Sequence, residues 1–184
     1  KGIDNAKYDA QHLIAFGLGL NRMDLYLKFD QPLTEQELQT LRPLVVQRGA
    51  RTPLQHIVGT TGFRNLTLAC DSRALIPRPD TEGIVDLISR FCINKSALSI
   101  IDIGVGTGAI ILSVAQEIPG HSYTGTDISL DALTLAQENF AHNSLDSTIS
   151  FVHSDLWEHF EAGRDLFDII VSNPPYIESS IILE

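Results

Sequence analysis

The spacing of hydrophobic positions changes twice along this chain. Between residues 4 and 56 they recur at helical spacing. Tyr8, His12, Leu13 and Phe16 share one face of a helix that should end at Gly17 and Gly19. A second short helix fits Arg22 to Leu27. Thr34-Glu35-Gln36-Glu37 reads as a capping box, in which the Thr34 hydroxyl and the Glu37 carboxylate serve each other's backbone N–H groups. The helix behind it should carry Leu38, Leu41 and Val45 inward, with a kink or split at Pro43, which lacks an N–H donor.

From residue 59 to 75 the period drops to two. Leu66, Leu68 and Cys70 alternate with Asn65, Thr67 and Ala69, and Gly59 and Gly62 supply turns, so a β-hairpin linker is expected. Ile84, Leu87, Ile88 and Phe91 then restore helical spacing between Thr81 and Cys92. Past residue 97, short apolar runs alternate with helical patterns. Strands are predicted at Ser99–Ile103, Ser122–Thr126, Ile149–His153 and Asp168–Ser172. Helices are predicted at Ala109–Ile118 and from Ser129, a capping residue, to about Asn143, with Leu130, Leu133, Ala136 and Phe140 on one face. Such alternation implies an α/β, doubly wound parallel sheet with ligands at the carboxyl ends of its strands. The expected organisation is a helical domain over residues 1–58, a hairpin linker over 59–75 and a Rossmann-like domain over 76–184.

Composition narrows the function without naming it. The chain has 184 residues and a net charge of −10. No apolar run reaches the roughly 18 residues that would span a bilayer. Its polar first residues predict no signal peptide, and the missing initiator Met suggests further residues upstream. Cys70 and Cys92 stand far apart and read as buried thiols of a reduced compartment, so the cytoplasm is the expected location. The six histidines show no ligand spacing, and no metal is assigned. Charge is uneven: residues 1–80 hold ten Lys/Arg and eight Asp/Glu, residues 81–184 three and fifteen. A second half at −12 has little with which to neutralise phosphates, which argues against a nucleic-acid partner.

Two motifs carry chemistry. Asp102-Ile103-Gly104-Val105-Gly106-Thr107-Gly108 lies between a predicted strand and helix, where glycines allow a tight turn and a ligand can approach the backbone and the helix N-terminus. Gly104, Gly106 and Ala109 also satisfy a permissive dinucleotide fingerprint, and Asp127 at the next strand end can accept from both ribose hydroxyls. A nicotinamide dinucleotide and S-adenosyl-L-methionine (SAM) both remain open on that evidence. Asn173-Pro174-Pro175-Tyr176 follows the fourth strand, at the same sheet edge. An amide NH₂ is a poor nucleophile because its lone pair is delocalised. Two acceptors, Asn173 Oδ1 and a carbonyl of Asn173 or Pro174, can fix such a group and draw charge from its N–H bonds. Prolines stiffen those carbonyls and remove competing donors, and Tyr176 offers a flat face. The pattern favours methyl transfer to a planar, conjugated NH₂ by in-line displacement over hydride transfer. A non-enzymatic binding module is the rival outside enzymology.

In these residues the chain resembles the bacterial release-factor glutamine N5-methyltransferases, the HemK/PrmC family. The likeness runs from about Ala6 to Ile177. It includes Asp24-Leu25-Tyr26, Pro32-Leu33-Thr34, the stretch from Arg48 to Gly59, and Leu75-Ile76-Pro77-Arg78-Pro79-Asp80-Thr81-Glu82. The last stretch separates it from adenine N6-methyltransferases of nucleic acids and from ribosomal-protein glutamine methyltransferases, the two alternative readings. The resemblance implies a helical N-terminal domain, a hairpin and a seven-stranded catalytic domain. Asp102, Gly104, Gly106 and Gly108 would line the methionine end of SAM, and Asp127 would hold the ribose. Asp155 and Leu156 would lie beside the adenine. Asn173, Pro174, Pro175 and Tyr176 would hold the glutamine of a Gly-Gly-Gln loop in a peptide-chain release factor, with S-adenosyl-L-homocysteine as the second product. Two departures stand out: Asp80 where the family commonly has Glu, and nothing after Glu184, where roughly three strands of the fold would follow. Arg78 and Glu82 read as a linker ion pair or as part of the site.

Overall fold

Apolar stripes and caps set the helices of the first sixty residues. The computed structural model describes residues 2–174, and the chain divides into two compact units, residues 1–60 and 61–184. In the first, α1 spans Ala6–Leu18, α2 Arg22–Leu27, α3 Glu35–Gly49 and α4 Leu54–Val58. Gly19 closes α1 in the left-handed region, where its N–H reaches back to Ala15 and Phe16 carbonyls. The expected capping box of Thr34 and Glu37 forms, and Asn21 with Asp24 forms a second at α2. Gly17 lets α1 and α3 approach closely, since a Cβ there would lie 2.7 Å from Leu41 Cδ2. Arg48 Nε donates to Asp9 Oδ2 across the same pair of helices, at 2.6 Å.

Neither an inward Val45 nor a split at Pro43 forms. Leu41 is buried, but Val45 is 56% exposed, and the half-buried partner is Leu44. The stripe facing α1 runs through Leu41, Leu44 and Arg48, so Leu41 turns inward as expected and Leu44 takes the place expected of Val45. Nor does Pro43 split α3, which runs through it as one helix. The carbonyl that loses its donor belongs to Gln39, an exposed residue, where water can replace the bond.

In the second unit, β1 (Thr60–Phe63) and β2 (Leu66–Ala69) make the hairpin. Phe63, Leu66, Leu68 and Cys70 point into the core, and Asn65 and Thr67 out, as alternation predicts. Then come a 3₁₀ turn at Pro79–Thr81, α5 (Glu82–Cys92), β3 (Ser99–Ile103), α6 (Ala109–Glu117), β4 (Ser122–Asp127), α7 (Leu130–His142), β5 (Ile149–His153) and β6 (Ile169–Ser172). Strands β3 to β6 form one parallel sheet in the order β5-β4-β3-β6. The chain winds outward from β3 to β5, then crosses back to lay β6 on the free side of β3. That reversal makes the β3/β6 junction the switch point, where an open α/β sheet has its crevice.

The core lies between sheet and helices around Ile100, Ile101, Ile111, Leu112, Val114 and Leu135. Helix α5 turns Val85, Ile88 and Cys92 inward and leaves Leu87 and Phe91 exposed; α7 buries Ala132, Leu133, Leu135 and Ala136 and leaves Leu130 exposed. Helical spacing alone could not separate these phases. Polar side chains fasten the hairpin. Arg64 Nε and Nη2 grip Glu117 at 2.6 and 2.7 Å, and Nη1 reaches Asp86 at 2.8 Å. Asn139 and Asn143, one turn apart on α7, pair with the backbone of Ala69 and Thr67 as a neighbouring strand would.

Candidate active site

The site is a row of residues along the carboxyl edge of the sheet. Register places Ile103 opposite Thr126 on one side and Ser172 on the other, and Asp127 opposite His153. One step further, Gly104 lies between Asp127 and Asn173. Sequence reasoning named these three from positions up to 69 residues apart, and the parallel sheet makes them neighbours. Ser172 Oγ donates to Ile103 O at 2.7 Å and pins the end of β6 to β3.

The loop from Gly104 to Gly108 needs its glycines for backbone reasons. All three have positive φ, at 76°, 54° and 84°. A Cβ on Gly108 would also strike Leu112 Cδ1 at 2.8 Å, whereas one on Gly104 would meet nothing within 4 Å. The loop therefore packs tightly at its helix end and faces open space at its strand end. Gly104 and Val105 both donate to Thr126 O at 2.8 Å, which seats the loop against β4. Asn139 Nδ2 donates to Thr107 O at 2.9 Å from inside. That buried amide joins hairpin, glycine loop and α7, and nothing in the sequence pattern marked it.

Asp127 braces this loop. Its Oδ2 accepts from Gly106 N–H and its Oδ1 from Ser129 N–H, both at 3.0 Å. Ser129 Oγ in turn caps α7 on Ala132 N–H, as expected. Asp102 is different. It is 1% exposed, and its Oδ1 has no hydrogen-bond partner among the described residues. Burial pushes its carboxyl up to about 7; Ile111 N–H, in the first turn of α6, pulls the other way, and neighbouring Asp127 adds to the rise. Its position is beneath the glycine loop, at the end of a helix dipole that favours negative charge.

Beyond β5, Ser154 is buried, accepts from His159 N–H and donates to Leu156 O. It shapes a turn in which Leu156 takes a left-handed φ of 46° and stays 62% exposed, with Asp155 exposed beside it. Ile128, next to Asp127, is exposed in the same way and went unremarked in the sequence.

Asn173 is half-buried, and its Nδ2 donates to Thr81 Oγ1 at 3.1 Å, leaving Oδ1 as an acceptor. Pro174 is exposed; Pro175 and Tyr176 lie outside the described residues. The Arg78–Glu82 ion pair, one of the two readings of these residues, does not form. Glu82 Oε1 accepts from Arg64 N–H at 3.2 Å, because the hairpin turn brings that backbone to the start of α5. Arg78 is exposed and makes no ion pair among the described residues.

Residues 82–182 match the family model for the methyltransferase small domain, and residues 1–59 match that for the PrmC N-terminal domain. The chain is 39% identical over 180 residues to the release factor glutamine methyltransferase of Geobacter sulfurreducens, covering 98% of this chain and 61% of that protein. It is 36% identical over 181 residues to that of Caulobacter vibrioides, covering 98% and 62%. The chain thus spans about three fifths of the length of these relatives. Among solved structures it is similar in fold to a SAM-dependent methyltransferase from Agrobacterium tumefaciens, at a TM-score of 0.54 and 19% identity, covering 63% of this chain and 39% of that one. A T. thermophilus 16S rRNA N2 methyltransferase in complex with AdoMet and guanosine gives 0.52 and 23%, covering 65% and 33%. Among the described residues no helix is long and apolar enough to cross a membrane.

Proposed function

Since this chain belongs to the methyltransferase small domain family and carries a PrmC N-terminal domain ahead of it, we propose that the protein methylates the side-chain amide nitrogen of a glutamine in a peptide-chain release factor, in the cytoplasm. The observation that carries the reading is that Gly104 and Asn173 are the first residues past the paired ends of β3 and β6, the neighbouring strands at the switch point of the sheet.

The residues present fit SAM on three counts. The open side of Gly104 and the N-terminus of α6 suit an α-amino acid end. Each Asp127 oxygen holds one N–H and keeps a lone pair for a ribose hydroxyl. Exposed Ile128 and Leu156, with Asp155, suit a flat base at the neighbouring strand ends. When bound, SAM supplies a methyl group on a positively charged sulfur and departs as S-adenosyl-L-homocysteine.

The chain's own residues handle the amide. Asn173 Oδ1 accepts one N–H of the glutamine, and the carbonyl of Asn173 or Pro174 accepts the other. As the nitrogen gains its methyl carbon it becomes positive, and these acceptors stabilise it more than they stabilised the neutral amide. The nitrogen then loses a proton past Asn173 to water, so no strong base is needed. Orientation supplies most of the rate. Pro175 and Tyr176 are proposed to complete the pocket. Residues 1–58 are proposed to hold the protein substrate, the hairpin at 59–75 serving as linker and residues 76–184 as part of the catalytic domain.

The test is mass spectrometry of tryptic peptides from a release factor incubated with the full-length enzyme and SAM. A gain of one methyl on the glutamine of the Gly-Gly-Gln peptide is expected. An unmodified peptide, with transfer to an oligonucleotide instead, would move the protein to the nucleic-acid class.

A further inference from the structure

We infer that Thr81 is a positioning residue for Asn173, and that the stretch Pro77–Glu82 exists to hold its hydroxyl in place. The inference deepens the functional reading above and rests on it. A side-chain amide has two ends of nearly equal shape and opposite polarity. With Oδ1 outward, Asn173 offers an acceptor to the substrate N–H; with Nδ2 outward, it sets donor against donor. The two Nδ2 hydrogens must therefore be held away from the substrate. Thr81 Oγ1 takes one of them at 3.1 Å, from a residue 92 positions earlier in the chain.

Everything around Thr81 is arranged to keep it still. It is buried at 7% exposure and ends the 3₁₀ turn that starts at Pro79. Its N–H donates to Arg78 O at 3.0 Å. Pro77 and Pro79 restrict the backbone on the approach. Glu82, the next residue, is held by Arg64 N–H at 3.2 Å and begins α5, whose Val85 and Ile88 are locked in the core. A hydroxyl on so rigid a support costs little entropy to aim. This assigns a task to the segment through Thr81, while its Glu82 side chain is taken up by the hairpin.

The experiment compares Thr81→Val, Thr81→Ser and Asn173→Ala in the full-length enzyme, with an intact release factor as substrate. Thr81→Val removes the acceptor and keeps the shape. It should lower kcat roughly five- to tenfold, the worth of one neutral hydrogen bond, with KM for SAM and the melting temperature unchanged. Thr81→Ser should restore most of the rate. In the Asn173→Ala background, Thr81→Val should cause no further loss, because its target is gone. A Thr81→Val enzyme as fast as wild type, or one equally slowed with and without Asn173, overturns the inference and leaves the functional reading standing. No glutamine methylation by wild type, or an undiminished Asn173→Ala, overturns both.

Discussion

The two units differ in the size of the core their apolar residues build. In residues 61–174 a large cluster running from Phe63 to Val171 is buried, with Leu68 fully so, although Leu87, Phe91, Leu130 and Leu166 stay outside it. In residues 2–60 the buried cluster is Leu13, Leu54 and Ile57, while Met23, Tyr26, Leu27 and Phe29 stand in solvent. Each unit also buries one aspartate: Asp9 pairs with Arg48 at 2.6 Å, whereas Asp102 has only the backbone of α6. The difference teaches where precision is needed. The second unit sets a row of residues at its strand ends on a large core, and the first holds its helices on a small one.

The largest effect should come from the strand-end row. Asn173→Ala should leave folding and SAM affinity nearly intact and lower kcat by two orders of magnitude or more. A group that stabilises charge in the transition state is worth about 2.7–4 kcal/mol. Equal turnover by the variant and wild type would reduce Asn173 to a turn residue.

Asn139→Leu tests whether that row depends on the packing beneath it. The amide serves Ala69 N–H at 2.6 Å, Ala69 O and Thr107 O, all of which a leucine would leave without it. A loss of roughly 2–3 kcal/mol in unfolding free energy is expected from unpaired buried groups. A denaturant midpoint equal to wild type would mean that water takes over the bonds.

Asp127→Ala should weaken SAM binding by about 1.5–3 kcal/mol, the worth of hydrogen bonds to a charged acceptor. Titration calorimetry measures it, and an unchanged affinity would confine Asp127 to bracing Gly106 and Ser129.

Asp102 gives the second unit a pH dependence. Its folded pKa, about 7, lies above the ordinary value of 3.8. The native state therefore holds a proton that the unfolded state releases. The associated stability is complete below about pH 4 and disappears as pH rises through 7, at up to about 1.4 kcal/mol per pH unit. Asp102→Asn should flatten that slope in denaturant melts at pH 4 to 7. Parallel curves for both proteins would show that Asp102 is not protonated in the fold.

Legibility followed the same division between local and distant causes. The bounds of α2, the Thr34 and Ser129 caps and the alternation of Leu66, Leu68 and Cys70 depend on neighbours in sequence, and the chain states them. The phases of α3, α5 and α7 depend on what each helix packs against, so Val45, Leu87, Phe91 and Leu130 turned outward instead. That Gly104, Asp127 and Asn173 come to one edge of the sheet was readable because a parallel sheet collects strand ends. Thr81 and Asn139 were not, because each acts on a partner about 70 or more residues away and looks, in sequence, like any polar residue at a helix start or on a helix face.

The smallest stability effect should come from the first unit, where it separates a free surface from a poorly filled core. Phe29 is 83% exposed and borders a groove of about 570 Å³ lined by Ile14, Leu18, Leu25, Tyr26 and Leu33. Folding removes little of its ring from water, so Phe29→Ser gives up little transfer free energy and should change unfolding free energy by no more than about 0.5 kcal/mol. Leu68→Ala, by contrast, empties a fully buried site and should cost about 2–5 kcal/mol. If residues 1–58 hold the protein substrate, as proposed, Phe29→Ser should still raise KM for an intact release factor while turnover of a short glutamine peptide stays at the wild-type rate. The peptide needs only the strand-end row; the intact factor needs the groove as well. A stability loss as large as that of Leu68→Ala would mean that Phe29 closes over the groove in solution and belongs to the core.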